Sequence, residues 1–168
     1  TPDAVMYVIN TKDGAICYTG DFIIDPLMRG AYDMDLGKIA YVGKKGVLAL
    51  LQESSFSEKS GHTSPNHRLV GVFKEAISHT KNRLMFLVLP THLYTIQEIF
   101  EAAKNTHRKI VVMGKQLQNL IDMSIKEKYL EVQEGLLGDL SNIDDKDAII
   151  LMADSKQNPY ACISKVLS

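Results

Sequence analysis

From residue 46 onward, short continuous apolar runs alternate with segments whose apolar residues recur at helical spacing. The runs are GVLALL at 46–51, RLMFLVL at 83–89, KIVVM at 109–113 and AIILM at 148–152. The helical patterns that follow them cover 65–79, 91–104, 116–128 and 159–167. Uninterrupted apolar strands that alternate with amphipathic helices are typical of a parallel sheet with helices on both faces. The sequence therefore predicts an α/β fold with a Rossmann-like parallel sheet.

The first 24 residues follow a different pattern. Two β-rich runs, AVMYVIN at 4–10 and AICYT at 15–19, are joined by Thr11-Lys12-Asp13-Gly14. Asp-Gly between two such runs is a strong signal for a β-hairpin. We expect the next stretch, DPLMRGAYDMDLGK at 25–38, to be an irregular connection between layers.

Composition limits the class of protein. The chain has 168 residues, 45% hydrophobic and 23% charged, with a formal net charge of -1, which suits one soluble domain or a domain plus part of another. No apolar run approaches 18 residues, so we expect no membrane span, and no signal peptide is recognisable. Cys17 and Cys162 lie far apart and predict reduced, buried thiols in a cytoplasmic protein. Because the chain opens on Thr1 and reaches its first strand almost at once, we expect it to be a piece of a longer protein.

Polar residues directly follow each predicted strand. They are Glu53-Ser54-Ser55, Pro90-Thr91-His92, Gly114-Lys115-Gln116 and Asp154-Ser155-Lys156-Gln157-Asn158. Ligands of parallel sheets bind beyond the carboxyl ends of the strands, and helix N-termini there offer free N–H groups to an anion. The pattern predicts a phosphate-sized anion site in which Lys115 and Lys156 supply charge. Thr91, Ser155 and Asn158 would add hydrogen bonds.

Each of these residues also has a plain structural interpretation. Thr91 is a candidate N-cap, and Asn158 before a proline is an ordinary helix start. His92 either acts in the site, or caps a helix or is simply solvated. Glu53 either binds an RNA sugar or a metal-bound water, or caps a turn. Asp21, in ICYTGDFII at 16–24, is either a turn residue or a metal ligand at a strand end, and no HxH or HxxxH pair completes a metal site within the chain.

These motifs, in this order, resemble the ribonuclease J family, which joins a metallo-β-lactamase fold to a β-CASP domain. ICYTGDFIID resembles the family's strand that ends in a metal-bridging aspartate, and TPDAVMYV the segment after its third metal motif. The segments that resemble the β-CASP domain are LLQESSFSEKSGHTSPNHR, VLPTHLYTIQEIFEAAKNTHRKIVVMGK and ILMADSKQNPYA. The resemblance implies that residues 1–34 belong to the lactamase fold and 35–168 to the β-CASP domain.

The resemblance implies a nuclease with two divalent metal ions, usually zinc, with manganese or magnesium in some members. Such enzymes act on single-stranded RNA as 5′→3′ exonuclease and endonuclease and recognise a 5′-monophosphate. Asp21 matches the bridging aspartate, and Glu53, next to Ser54, matches the acidic motif that opens the β-CASP region. The predicted RNA and phosphate contacts further along are Thr91, His92, Gly114, Lys115, Gln116, Ser155 and Lys156. The implied partner is the same chain or a ribonuclease J paralogue.

The sequence also departs from the family's pattern. The HxHxDH motif is absent, so we expect this chain alone not to cleave RNA. The family's Gly-Arg-Ser-Met appears as Gly-Lys-Gln-Leu at 114–117, which keeps the charge but loses the bidentate fork of arginine. The family's Thr-Gly-Ser-Gln-Gly-Glu-Pro appears as ADSKQNP at 153–159, which lacks two glycines. These changes resemble the second, weakly active paralogue of low-GC Gram-positive bacteria. They leave a non-catalytic partner subunit of a ribonuclease J complex as the alternative function.

Overall fold

The structure, a computed structural model, describes residues 2, 4–25, 28, 30–54, 57–60 and 68–153. The chain forms two compact units, residues 1–67 and 68–168. None of the helices in the described ranges is long and apolar enough to cross a membrane.

The first unit begins with the predicted hairpin. Strand β1 (Tyr7–Thr11) pairs antiparallel with β2 (Gly14–Tyr18), and Thr11 lies opposite Gly14. The Thr11 hydroxyl donates to the Gly14 carbonyl at 2.7 Å and accepts from the Asp13 N–H at 3.2 Å, which closes the turn. Gly14 has φ +137°, and a Cβ there would lie 3.1 Å from the Cβ of Leu48, so glycine suits this position on both counts.

Strand β3 (Val47–Leu51) belongs to the same sheet as the hairpin. It pairs parallel with β2, and the strand order is β1-β2-β3. The prediction that 46–51 forms one parallel sheet with the later strands is therefore wrong. A continuous apolar run indicates a buried strand but not which strand it pairs with, because pairing depends on distant residues.

A helix, α1 (Leu36–Lys45), follows a short 3-10 turn at Gly30–Tyr32. The prediction of an irregular connection over 25–38 is wrong for its last three residues, and the helix was missed. Asp35 caps it by accepting from the Lys38 N–H at 2.9 Å, and this bond lowers the pKa of the Asp35 carboxyl. Gly37 and Gly43 lie within α1 and weaken its helical signal, since glycine is a poor helix former.

The second unit contains a parallel three-stranded sheet. Its strands are β4 (Leu84–Val88), β5 (Lys109–Met113) and β6 (Ala148–Ala153), in the order β4-β6-β5. Its helices are α2 (Val70–His79), α3 (Leu93–Ala103) and α4 (Lys115–Lys126), and 3-10 turns at Leu140–Asn142 and Asp145–Asp147 lead into β6. The predicted α/β class with a parallel sheet is confirmed. Five of the six residues of β6 are buried, which fits the central position of this most apolar run.

The main core lies between this sheet and its helices. Ile77 of α2, Phe100 of α3 and Leu117 of α4 share one buried cluster with Ile149 and Leu151 of β6. The alternate residues of β6, Ala148, Ile150 and Met152, belong to a second cluster with Val111. The three described helices α2, α3 and α4 therefore pack against the face of the sheet that carries Ile149 and Leu151. The helix predicted at 159–167 lies outside the described residues.

A buried carboxylate from one helix caps the start of another. Helix α2 begins at Val70, five residues later than the predicted start, and its N-cap Leu69 has no capping side chain. Both carboxylate oxygens of Glu98, on α3, accept from the Leu69 N–H at 3.1 Å. Glu98 is 4% exposed, so this bond gives its buried oxygens a hydrogen-bond partner, without which their burial would be costly.

Candidate functional site

Asp21 and Glu53 line one open cavity at the end of the first sheet. Strands β2 and β3 run parallel with Tyr18 opposite Leu51, so the residues after both strands emerge at the same edge. The Thr19 N–H donates to the Leu51 carbonyl at 3.1 Å and extends the pairing to this edge. The cavity has a volume of about 340 Å³. Its lining residues are Tyr18, Gly20, Asp21, Leu50, Leu51, Gln52 and Glu53.

Two carboxylates at one cavity are suited to a hard divalent cation, which prefers oxygen ligands. Both Asp21 and Glu53 are exposed to solvent. The described residues contain no group of three or more histidine, cysteine, aspartate or glutamate side chains that would hold a metal ion. The cavity therefore brings together two carboxylates among the described residues. The sequence identified both residues, but only the parallel pairing of β2 with β3 brings them together.

The second group of predicted residues lies at the carboxyl edge of the second sheet. Thr91 and His92 follow β4, and Gly114-Lys115-Gln116 follow β5. Strand β6 lies between these two strands, so the two loops are separated by two strand spacings, roughly 10 Å. All five residues are exposed. Ser155 and Lys156, which follow β6 in the sequence, lie outside the described residues.

Helices α3 and α4 both start at this edge without a capping side chain. His92, rather than the predicted Thr91, is the N-cap of α3, and its ring makes no capping hydrogen bond. Gly114 is the N-cap of α4 and has no side chain to cap with. The start of α4 presents first-turn N–H groups to this edge, and the positive ends of both helix dipoles point to it. Lys115 opens α4 and forms no ion pair with a residue that the structure describes.

We expect Gly114→Ala to lower the free energy of unfolding of the chain by about 1 to 2 kcal/mol. Gly114 has φ +99°, and nothing lies within 4 Å of a Cβ built there, so the cost is backbone strain alone. Urea unfolding followed by circular dichroism measures it. The matched control is Gly71→Ala within α2, also with open space but without positive φ, which should be neutral or slightly stabilising. Equal behaviour of the two variants would contradict the strain at Gly114.

The predicted contacts therefore divide between two sheets. Glu53 and Ser54 follow β3 and lie with Asp21 in the first unit, whereas the predicted contacts from Thr91 to Gln116 lie in the second. The single shared edge expected for all of them is wrong, because β3 pairs with the hairpin. Sequence reasoning also missed Tyr18 and Gln52, which line the cavity beside Asp21. Their positions at the ends of β2 and β3 are the signal that identifies them.

Comparisons with known proteins agree with this architecture. Residues 81–168 match the family described as ribonuclease J, beta-CASP domain. The chain is 32% identical to Ribonuclease J2 of Bacillus subtilis over 168 residues, which covers 98% of this chain and 30% of that protein. It is 29% identical to Ribonuclease J 2 of Staphylococcus saprophyticus and 27% identical to that of Staphylococcus aureus, each with the same coverage.

The parallel sheet makes the second unit a Rossmann-like α/β domain, and the family match over residues 81–168 assigns it to the β-CASP class. The chain belongs to the ribonuclease J family. The resemblance predicted from the sequence is thus confirmed, and the names of these relatives agree with its likeness to the second paralogue. The chain spans about 30% of the length of these curated relatives.

Proposed function

We propose that this chain is the RNA-binding β-CASP portion of a metal-dependent ribonuclease, together with part of its lactamase-fold domain. The observation that carries the proposal is the carboxyl edge of the second sheet. At this edge, in a chain of the ribonuclease J family, α3 and α4 begin after His92 and Gly114 without a capping side chain. Lys115 adds a positive charge at the start of α4. The parent protein would act on single-stranded RNA as 5′→3′ exonuclease and endonuclease.

The edge offers chemistry suited to a 5′-terminal phosphate. The oxygens of a phosphate would accept hydrogen bonds from the first-turn N–H groups of α4, and the positive ends of both helix dipoles favour its charge. Lys115 supplies a point charge beside the start of α4. We propose that Thr91, His92 and Gln116 add polar contacts, and that Ser155 and Lys156 complete the site after β6. Glu53 and Ser54 would contact the RNA from the first unit.

We further propose that Asp21 is a metal ligand in the parent protein. Its carboxylate and that of Glu53 line the same cavity, and oxygen donors of this kind fit divalent cations. Two such ions, zinc or else manganese or magnesium, would supply an activated water for phosphodiester hydrolysis. Asp21 would hold the ions at the end of β2, and Glu53 would orient the water or the RNA sugar beside them.

The exposed apolar surface of the first unit supports its assignment to a larger domain. Large apolar side chains are exposed on all three strands, including Tyr7 at 60%, Ile9 at 59%, Leu48 at 58% and Leu50 at 57%. Extended apolar surface of this kind marks an interaction site. We propose that the boundary between the lactamase-fold part and the β-CASP domain lies between residues 34 and 35. The compact units instead divide between residues 67 and 68, because β3 joins the hairpin sheet. A paralogue partner and a cytoplasmic location stay predictions from the resemblance.

We expect Lys115→Ala to weaken binding of a 5′-monophosphorylated single-stranded RNA and to flatten its salt dependence. Loss of one phosphate contact on a single strand changes the slope of log K against log salt by about 0.7. Fluorescence anisotropy of a labelled RNA at several salt concentrations measures this slope for the 168-residue chain.

The control is Lys126→Ala, which removes an exposed lysine from the opposite end of the same helix. Its slope should equal that of the unmodified chain. An unchanged slope in Lys115→Ala, or an equal change in both variants, would contradict the assignment of Lys115 to the phosphate site.

A further inference from the structure

A basic cavity of about 850 Å³ lies at the amino-end edge of the second sheet. It is formed by the end of α2, the segment between α3 and β5, and the turn before β6. This is the edge opposite to Lys115, because all three strands run parallel. Its charged lining residues are Lys74, Lys81, Lys104, Arg108, Lys146 and Asp147, with His107 beside them.

A buried guanidinium lines this cavity without an acidic partner. Arg108 is 3% exposed and forms no ion pair with a residue in the described ranges. Its Nη1 donates to the Asn82 carbonyl at 2.9 Å, and its Nη2 donates to the Thr80 carbonyl. Both partners are neutral, so these bonds hold the segment that carries Lys81 but leave the positive charge uncompensated.

Three lysines add charge that no carboxylate balances. Lys74, Lys81 and Lys104 are exposed and form no ion pair within the part of the chain that the structure describes. Asp147 is the acidic lining residue, and it lies 3.2 Å from the His107 ring. The fifth cation, Lys146, lies 3.7 Å from Asp144. The cavity therefore combines five cationic side chains with one carboxylate that already faces a histidine.

Favourable interaction with helix C-termini accounts for only some of the cationic residues at this cavity. Helices α2 and α3 end at this edge, and cations stabilise the negative end of a helix dipole within its last turn. Lys81, Arg108 and Lys146 lie outside both helices. Their contribution to the cavity is therefore not accounted for by helix ends, and a concave surface with this excess of cations favours an anionic ligand.

We propose that this cavity is a second anion site, which binds phosphate groups of single-stranded RNA away from the carboxyl edge. The choice of RNA rests on the proposed function, whereas the phosphate chemistry rests on the cavity itself. The lysines act as exposed point charges for the backbone, and the buried Arg108 holds the segment of Lys81 in place. RNA bound here would extend beyond the 5′-phosphate site that contains Lys115.

The test is the triple variant Lys74→Gln, Lys81→Gln and Lys104→Gln in the 168-residue chain. The probe is a single-stranded RNA with a 5′-hydroxyl, which removes the terminal phosphate from the comparison. Loss of three backbone contacts should lower the slope of log K against log salt by about 2, because each contact contributes about 0.7. Inorganic pyrophosphate, measured by calorimetry, is the second probe and represents a small phosphate compound.

The matched control is Lys12→Gln, Lys44→Gln and Lys126→Gln, which removes the same net charge from exposed lysines elsewhere. A lower slope in the first triple variant alone confirms the site and its RNA ligand. Loss of pyrophosphate binding with unchanged RNA binding keeps the phosphate site and overturns RNA as its ligand. Equal effects in both triple variants, or none in either, overturn the site. Because Lys115→Ala is measured separately, failure here leaves the proposed function intact.

Discussion

In a full-length ribonuclease that contains this chain, Asp21→Ala is expected to lower cleavage of a 5′-monophosphorylated RNA at least about 100-fold. The carboxylate emerges at the end of β2 beside Glu53, where oxygen donors converge on one cavity. The proposed metal ions would stabilise developing charge by several kcal/mol, and loss of Asp21 as a ligand would forfeit most of that effect. The assay follows cleavage with added zinc, manganese or magnesium.

The control for this prediction is Asp33→Ala, which removes an exposed carboxylate from the same unit and lies outside the cavity lining. Its cleavage rate should match that of the unmodified protein. RNA binding by both variants should stay unchanged, since Asp21 is assigned to chemistry rather than to affinity. Absence of cleavage in every protein, with RNA binding preserved, would instead make Asp21 a turn residue and favour the non-catalytic partner subunit.

Phe100→Ala is expected to lower the free energy of unfolding of the second unit by about 4 kcal/mol. Phe100 is 1% exposed on α3 and belongs to the cluster that joins the helices to the sheet. Truncation of a buried aromatic ring loses its transfer free energy and leaves a cavity that the surrounding side chains fill only in part. Domains of this kind are stable by only about 5 to 15 kcal/mol, so this loss is large.

Urea unfolding followed by circular dichroism measures the effect of Phe100→Ala. The control is Met123→Ala on α4, which truncates a side chain that is 56% exposed and should change the stability by less than about 0.5 kcal/mol. A loss in Phe100→Ala as small as that of the control would mean that the cluster does not hold the helices on the sheet.

Local signals in the sequence were sufficient for most elements of the second unit. β-Branched and apolar runs at Lys109–Met113 and Ala148–Ala153, and helical periodicity at Leu93–Ala103, depend on neighbours within a few residues. Asp13-Gly14 similarly determined the hairpin, because its turn conformation is local. The residue types after the strands also identified Asp21, Glu53 and Lys115 as candidates, since strand ends can be recognised without knowledge of strand order.

Only the tertiary structure decided which of these elements meet. It paired β3 with β2, which placed Glu53 beside Asp21 and removed both from the sheet that carries Lys115. In the folded chain the carboxylate of Glu98 accepts from the N–H of Leu69, directly before α2 begins at Val70. Lysines from three segments line one cavity with Arg108. Strand pairing, tertiary capping and charge clusters involve residues that lie tens of positions apart in the sequence. No periodicity along the chain specifies these contacts, because they contribute free energy only when the core has packed.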